Sequence, residues 1–169
     1  MRFILIILVL LLSISGCSSL AIWSPSLENT VSFSEEFSPE EKLVILKGFN
    51  VWGRETACKA NFVETADGTI AIKKTTDQEL IAFELKEGKK IIGLSIQSDN
   101  PTIYFIFQKI DTALKLELVA AHEAGHMLGM EHIPQKQVAI MNPAVNSLIL
   151  EDHLTQYDLD QFDNYWRCK

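Results

Sequence analysis

The sequence predicts an α+β domain with one hydrophobic core, and three observations support this class. Short alternating or apolar runs, separated by turn residues, occupy much of the chain between residues 30 and 107, which is typical of strands. Apolar residues at helical spacing mark three longer segments, one early and two late. The chain has 169 residues, of which 47% are hydrophobic, enough to bury a single core. Strands first, with helices on one side, favour a layered α+β architecture.

Charge and composition exclude several classes of protein. The 15 Lys and Arg residues stand against 22 Asp and Glu residues, so the formal net charge is −7, and basic residues are not clustered. Such a chain does not neutralise phosphates, which excludes a nucleic-acid partner. No repeat at a fixed period is present, which excludes solenoids and propellers. Eight Gly and five Pro residues are too few for a disordered chain.

Residues 1–16 have the pattern of a signal peptide. Arg2 precedes ten apolar residues, too few to cross a bilayer, which needs about 20 residues in a helix. A buried N-terminal helix is the alternative. The following run from Ile14 to Cys17 reads ISGC and resembles the lipoprotein box of bacteria. The resemblance implies cleavage before Cys17, acylation of its thiol and a lipid anchor in the membrane.

Residues 17–29 are Ser-rich and contain Pro25, and we predict that they form a lipidated tether to a domain at residues 30–169. Ser18 stands where the resemblance would place Asp in a signal for inner-membrane retention. The expected location is therefore the cell envelope, at the outer membrane or outer surface, facing an oxidising compartment.

Once Cys17 is acylated, Cys58 and Cys168 remain as an even pair. In an oxidising compartment such a pair predicts a disulfide. Two buried free thiols are the alternative.

The predicted domain begins with a short strand and a capped helix. Alternation over Thr30–Phe33 predicts the strand. Ser38, Pro39 and Glu41 form a capping box with proline at the first helical position, which predicts a helix over residues 39–57. The apolar face of this helix consists of Ile45, Leu46, Phe49 and Trp52.

Further strands and two helices complete the predicted domain. The strand patterns cover residues 69–74, 81–85, 91–97 and 102–107. Ser98–Pro101 predicts a hairpin turn between the last two strands. A central helix is predicted over residues 112–128, ended by Gly129. A C-terminal helix opens at Thr155, and its apolar face consists of Leu159, Phe162 and Trp166.

The central helix contains the residues that indicate chemistry: His122, Glu123, His126, Gly129 and His132. Residues four apart lie one turn above each other, so His122 and His126 present two imidazoles to one ion, as in zinc sites. Gly129 can adopt the left-handed conformation that ends a helix and turns His132 back as a third ligand. Three imidazoles leave a fourth position open for water. Glu123 is then the base that accepts a proton from this water.

Residues 119–132, which read VAAHEAGHMLGMEH, resemble the zinc helix of the metzincin metallopeptidases, most closely the matrixin branch. Ala139–Pro143 resembles the Met-turn of that clan, which implies that Met141 lies under the metal. The resemblance implies a small twisted, mostly parallel sheet with an antiparallel edge strand, followed by the zinc helix, the Met-turn and a C-terminal helix. It also implies an edge strand that pairs with an extended substrate peptide and consists of Ile91, Ile92, Gly93, Leu94, Ser95 and Ile96.

These patterns predict an endopeptidase with one catalytic Zn²⁺ that cleaves exported or extracellular proteins. The alternative is a surface-anchored metal-binding or protein-binding lipoprotein without turnover. Glu123 favours the enzyme, because a structural site has no use for a carboxylate beside the open position. Calcium is a second candidate ion, since acidic residues are plentiful near the loops, although no twelve-residue calcium loop is present. We expect a monomer, and we interpret His153 as a solvated loop residue.

Overall fold

The computed structural model of the protein describes residues 24–75, 92–134, 137–143 and 153–168. Within these ranges the strands form a five-stranded sheet that packs with helices, which confirms the predicted α+β class. The predicted signal peptide with Cys17, the strand predicted over residues 81–85, and Ile91 lie outside the described residues. No helix in the described ranges combines the length and the apolar character needed to cross a bilayer.

The elements follow the predicted order, with one additional strand. The strands are β1 Glu28–Phe33, β2 Asn61–Glu64, β3 Ile70–Lys74, β4 Gly93–Ile96 and β5 Thr102–Phe105. The helices are α1 Pro39–Phe49, α2 Val51–Glu55, α3 Ala113–Met127 and α4 Gln156–Trp166. Strand β2 is additional to the predicted strands, and the helix predicted over residues 39–57 proves to be two helices.

The sheet has the strand order β2-β1-β3-β5-β4. Strand β1 pairs in parallel with β2 and β3, and β3 pairs in parallel with β5. Strand β4 runs antiparallel to β5 at the edge, with Ser95 opposite Ile103. The predicted mostly parallel sheet with an antiparallel edge strand is confirmed, and β4 lies against α3.

Helix α1 begins at the predicted capping box and is tied to the sheet there. The Glu41 N–H donates to Ser38 Oγ at 3.2 Å, and the Ser38 N–H donates to the Glu41 carboxylate at 2.7 Å. Lys74 on β3 donates to the same carboxylate at 2.6 Å. Partial burial acts to raise the pKa of the Glu41 carboxyl, but the hydrogen bonds from Lys74 and Ser38 outweigh it and lower this pKa.

Asn50 lies where the predicted long helix becomes two helices, and its side chain bonds to β2. Its Nδ2 donates to the Phe62 carbonyl at 3.0 Å, and its Oδ1 accepts from the Phe62 N–H at 2.8 Å. The backbone of Asn50 keeps its bonds to Leu46 and Arg54, each at 3.0 Å. The Phe62 ring also packs on Phe49, with ring centroids 5.1 Å apart. Strand β2 itself forms by parallel pairing with β1, a contact between residues distant in the sequence.

The core lies between the sheet and the helices, since buried residues of β1, β2, β3 and β5 belong to the same cluster as those of α1 to α4. Gly48 approaches α3 so closely that a Cβ at this position would lie 2.9 Å from the Ala120 Cβ. Trp52 donates from Nε1 to the Ala121 carbonyl at 2.9 Å, and its ring stacks on Phe162 at 5.4 Å. Of the predicted apolar face of the first helix, Ile45, Phe49 and Trp52 are buried and Leu46 is half-buried.

Cys58 and Cys168 form a disulfide across 110 residues, with their Cα atoms 5.4 Å apart. Cys58 follows α2 and Cys168 follows α4, so the bond joins the C-terminal sides of these two helices. Both half-cystines pack against the hydrophobic core. The disulfide therefore holds α4 in place from its C-terminal side.

We predict that the double variant Cys58→Ser/Cys168→Ser has a free energy of unfolding about 4–5 kcal/mol lower than that of the oxidised protein, as expected for a loop of this length in the chain-entropy model. Urea titrations of both proteins measure the difference. A reductant should shift the midpoint of the wild type towards that of the variant and leave the variant unchanged. Equal midpoints for the oxidised wild type and the variant would contradict the prediction.

Candidate metal centre

Helix α3 carries the first two histidines and is buried along most of its length. Its N-terminus is capped by Thr112, whose Oγ1 accepts from the Lys115 N–H at 3.1 Å. His122 and His126 lie one turn apart on the same face, with their ring centroids 4.8 Å apart. The helix therefore presents both imidazoles to one point, as predicted from their spacing.

Gly129 ends this helix and returns the chain towards it. Its φ is +85°, in the left-handed region that favours glycine. The Gly129 N–H donates to the His126 carbonyl at 2.9 Å, and the Met130 N–H donates to the Gly125 carbonyl at 2.8 Å. The ring of Tyr165 packs on the glycine, and an added Cβ would lie 2.7 Å from its Cζ. This turn brings His132 to the first two histidines.

The three Nε2 atoms converge. The Nε2–Nε2 distance is 3.2 Å from His122 to His126, 3.2 Å from His122 to His132, and 3.1 Å from His126 to His132. Two nitrogens on a tetrahedral zinc, with bonds of about 2.0–2.1 Å, lie about 3.3–3.4 Å apart. The trio therefore fits a zinc ion, and the predicted triad is confirmed as a possible metal site.

Hydrogen bonds to main-chain carbonyls fix the tautomers of two ligands. His122 Nδ1 donates to the Ile140 carbonyl at 2.7 Å, and His126 Nδ1 donates to the Met130 carbonyl at 2.9 Å. A neutral imidazole that donates from Nδ1 has its lone pair on Nε2, so both lone pairs point to the common centre.

The electrostatics of the site keep these imidazoles neutral. Burial, with a smaller contribution from the neighbouring His126, lowers the pKa of His122 to about 3. Burial likewise lowers the pKa of His126. Neutral nitrogens with facing lone pairs repel each other at these distances, and a cation between them removes the repulsion.

Glu123 is 4% exposed and lies against the edge strand β4. Its Oε2 is 2.5 Å from Ser95 Oγ. A Cβ added to Gly93 would lie only 2.5 Å from its Oε1. Burial raises the pKa of Glu123 to about 7, and hydrogen bonds from Ser95 oppose this shift. The strand predicted to bind substrate therefore also contacts the predicted base.

Met141 is fully buried below the helix. It packs on Gly125, where an added Cβ would collide with the Met141 Sδ, and the Ile133 N–H donates to the Met141 carbonyl at 2.9 Å. His153 lies apart from the triad, with its Nδ1 2.8 Å from the Glu55 carboxylate and 63% of its side chain exposed. Met141 therefore packs on the part of α3 between His122 and His126, whereas His153 lies beside Glu55.

Asp158 is a site residue that the sequence analysis does not identify. It is fully buried, and its two oxygens accept from the Ile140 and Met141 N–H groups, each at 2.9 Å. Its Oδ2 also accepts from the N–H and Oγ1 of Thr155 and completes the N-terminal cap of α4. The sequence indicates only that a helix opens at Thr155, because the contact of Asp158 with the Met-turn crosses 18 residues and leaves no local pattern.

Three histidines on a helix and its return turn, with a glutamate beside them under an antiparallel edge strand, define a class: this is a metallopeptidase domain. The Matrixin family model matches residues 27–166, most of the chain, and the protein belongs to this family. The matrixin domain has the metzincin fold, as the sequence resemblance implies. A comparison with curated proteins finds no match to this chain.

We predict that Asp158→Asn weakens zinc binding about ten- to a hundredfold, the usual cost of losing a partner that orients a ligand. Asp158 holds the backbone of Ile140, whose carbonyl orients His122, so an amide NH₂ facing the N–H groups displaces this carbonyl. Competition with a chromogenic chelator measures the zinc affinity. Asp163→Asn, an exposed position on the same helix, is the control. Equal affinities for the two variants would contradict the prediction.

Proposed function

We propose that this protein is a zinc-dependent endopeptidase that hydrolyses peptide bonds of exported or extracellular proteins. One observation carries the proposal. Three histidine Nε2 atoms lie within 3.2 Å of each other, and Glu123, the residue after His122 on α3, has a buried carboxylate. A structural zinc site is closed by four protein ligands, whereas three histidines leave a position for water. The exposed side of His132 leaves the centre accessible to solvent.

His122, His126 and His132 would hold the ion through their Nε2 atoms. The chemistry supplied by a bound zinc ion is Lewis-acid activation of a water molecule and polarisation of the scissile carbonyl. Glu123 accepts the proton of the attacking water at a carboxylate oxygen and donates it to the nitrogen of the leaving amine. The surrounding apolar residues of α3 exclude bulk water from this carboxylate.

The substrate binds as an extended strand beside β4. The Ile106 N–H donates to the Ile92 carbonyl at 2.9 Å, so this pair is hydrogen-bonded, and pairs alternate along an antiparallel ladder. Gly93 and Ser95, at the alternate positions, therefore direct their backbone N–H and C=O groups away from β5. The Gly93 groups and the Ser95 carbonyl are available to an extended peptide, which pairs with an edge strand by β-augmentation. The Ser95 N–H bonds to the Glu123 carboxylate.

We also propose that the protein is exported and anchored by a lipid on Cys17, at the outer membrane or outer surface. The ISGC run supports this anchor, and the disulfide between Cys58 and Cys168 is compatible with an oxidising compartment.

We predict that Glu123→Gln keeps bound zinc but reduces kcat/KM by roughly 10²–10⁴, because the amide cannot accept the proton. Digestion of a diverse peptide library, with and without a chelator, measures the activity, and metal analysis of the same samples measures the zinc. Glu117→Gln is the control, since this buried glutamate of α3 faces Lys47 on α1.

The same experiment decides between the enzyme and a metal-binding or protein-binding lipoprotein without turnover. Cleavage by the wild type that the chelator abolishes supports the enzyme. If zinc-loaded wild type and Glu123→Gln both leave the library intact, the non-catalytic alternative is correct.

We predict that Cys17→Ser prevents incorporation of an alkyne-labelled fatty acid by the protein in a bacterial host, because acylation needs the thiol. Ser18→Ala, one residue along, should keep the label. Gel fluorescence after coupling to a dye measures incorporation. A wild type that takes up no label would contradict the lipid anchor.

A further inference from the structure

Strand β4 contacts the zinc helix through one of its faces. Gly93 and Ser95 alternate along the strand, Gln97 directly follows it, and each meets α3: Gly93 lies against Glu123, Ser95 donates to Glu123, and Gln97 Nε2 donates to the His126 carbonyl. The period of two in a strand explains why these residues share a face.

Ser95 has a second role in the same strand, through its backbone. Ser95 lies opposite Ile103 in a non-hydrogen-bonded pair, so its N–H and C=O point to the free edge of β4. There the N–H bonds to the carboxylate of Glu123, and the C=O is left to an extended peptide that pairs with the strand. Glu123 therefore lies at the free edge of β4.

The Ser95 hydroxyl contacts two oxygens of Glu123. Its Oγ is 2.5 Å from the Glu123 carboxylate and 3.1 Å from the Glu123 main-chain carbonyl. It donates to the carboxylate, and the contact with the main chain of the same residue places the hydroxyl directly against Glu123.

We propose that Ser95 is a positioning residue, whose hydroxyl holds the carboxylate of Glu123 at the free edge of β4. The proposal rests on the endopeptidase function above and adds a residue to it. Ser95 acts through Glu123 and not on the reacting atoms. Its effect is on the orientation of Glu123, and so on turnover after substrate has bound.

The test compares Ser95→Ala, Ser95→Thr and Ser32→Ala, each loaded with zinc. Ser32 is the matched control, because it is a half-buried serine of the same sheet whose Oγ donates to the Gly68 carbonyl. Ser95→Ala should lower kcat about tenfold and change KM less than about twofold, since it leaves the base without its side-chain donor. Ser95→Thr keeps the hydroxyl and should restore most of kcat.

The contrary results are equally specific. An unchanged kcat in Ser95→Ala, a change in KM alone, or a Ser95→Thr variant as slow as Ser95→Ala would overturn the proposal. Loss of bound zinc in Ser95→Ala would also overturn it, because the residue would then act on the metal centre as a whole.

A second measurement does not depend on activity. In urea titrations, Ser95→Ala should lower the unfolding midpoint more in the presence of Glu123 than in a Glu123→Ala background, which shows that the two side chains interact. Equal shifts in the two backgrounds would overturn the contact. If the wild type cleaves no peptide, the endopeptidase proposal fails, and this cycle still decides whether Ser95 holds Glu123.

Discussion

The structure depends on one constraint: three imidazole nitrogens must face each other within 3.2 Å. Neutral rings do not adopt this arrangement unless other groups fix their tautomers and orientations. Main-chain carbonyls provide this for His122 and His126, from Ile140 and Met130 respectively. The first carbonyl belongs to the Met-turn and the second to the turn after α3. The geometry of the candidate metal centre therefore depends on the backbone of these two turns as much as on the histidines.

Buried polar contacts and close packing hold the Met-turn and the turn after α3 in place. Asp158 fixes the Met-turn from the start of α4, and Trp166 donates from Nε1 to the Leu128 carbonyl at 3.1 Å near the turn after α3. Gly125 and Gly129 admit Met141 and Tyr165 to positions that a Cβ would block. The disulfide then ties the end of α4 to the residues after α2. Helix α4, the last element of the domain, thus holds the two turns whose carbonyls orient His122 and His126.

The parts of the site that the sequence predicts are those formed by neighbouring residues. The triad is predicted from local geometry. The helix accounts for the spacing of His122 and His126, and the glycine turn that ends the helix accounts for His132. The bond from Asn50 to Phe62 crosses 12 residues and that from Ile140 to Asp158 crosses 18. Strand β2 depends on its pairing with the distant strand β1. No periodicity in the sequence encodes these contacts. Ser95 shows the same limit, because its strand is predicted but its contact with Glu123 crosses 28 residues.

Strand β4 faces both α3 and the free edge of the sheet, because a β-strand directs its side chains to the faces of the sheet and its backbone N–H and C=O groups into the plane of the sheet. Along β4 the side chains of alternate residues meet α3, while the backbone groups of the same residues face the free edge. Gly93 has no side chain because Glu123 occupies that space, and Ser95 has a small polar one because the buried carboxylate needs a donor. Under the proposed function, a peptide that pairs with β4 would be aligned by the same strand that contacts Glu123. Substrate alignment and base alignment would then both follow from one strand register, which is fixed by the pairing of β4 with β5.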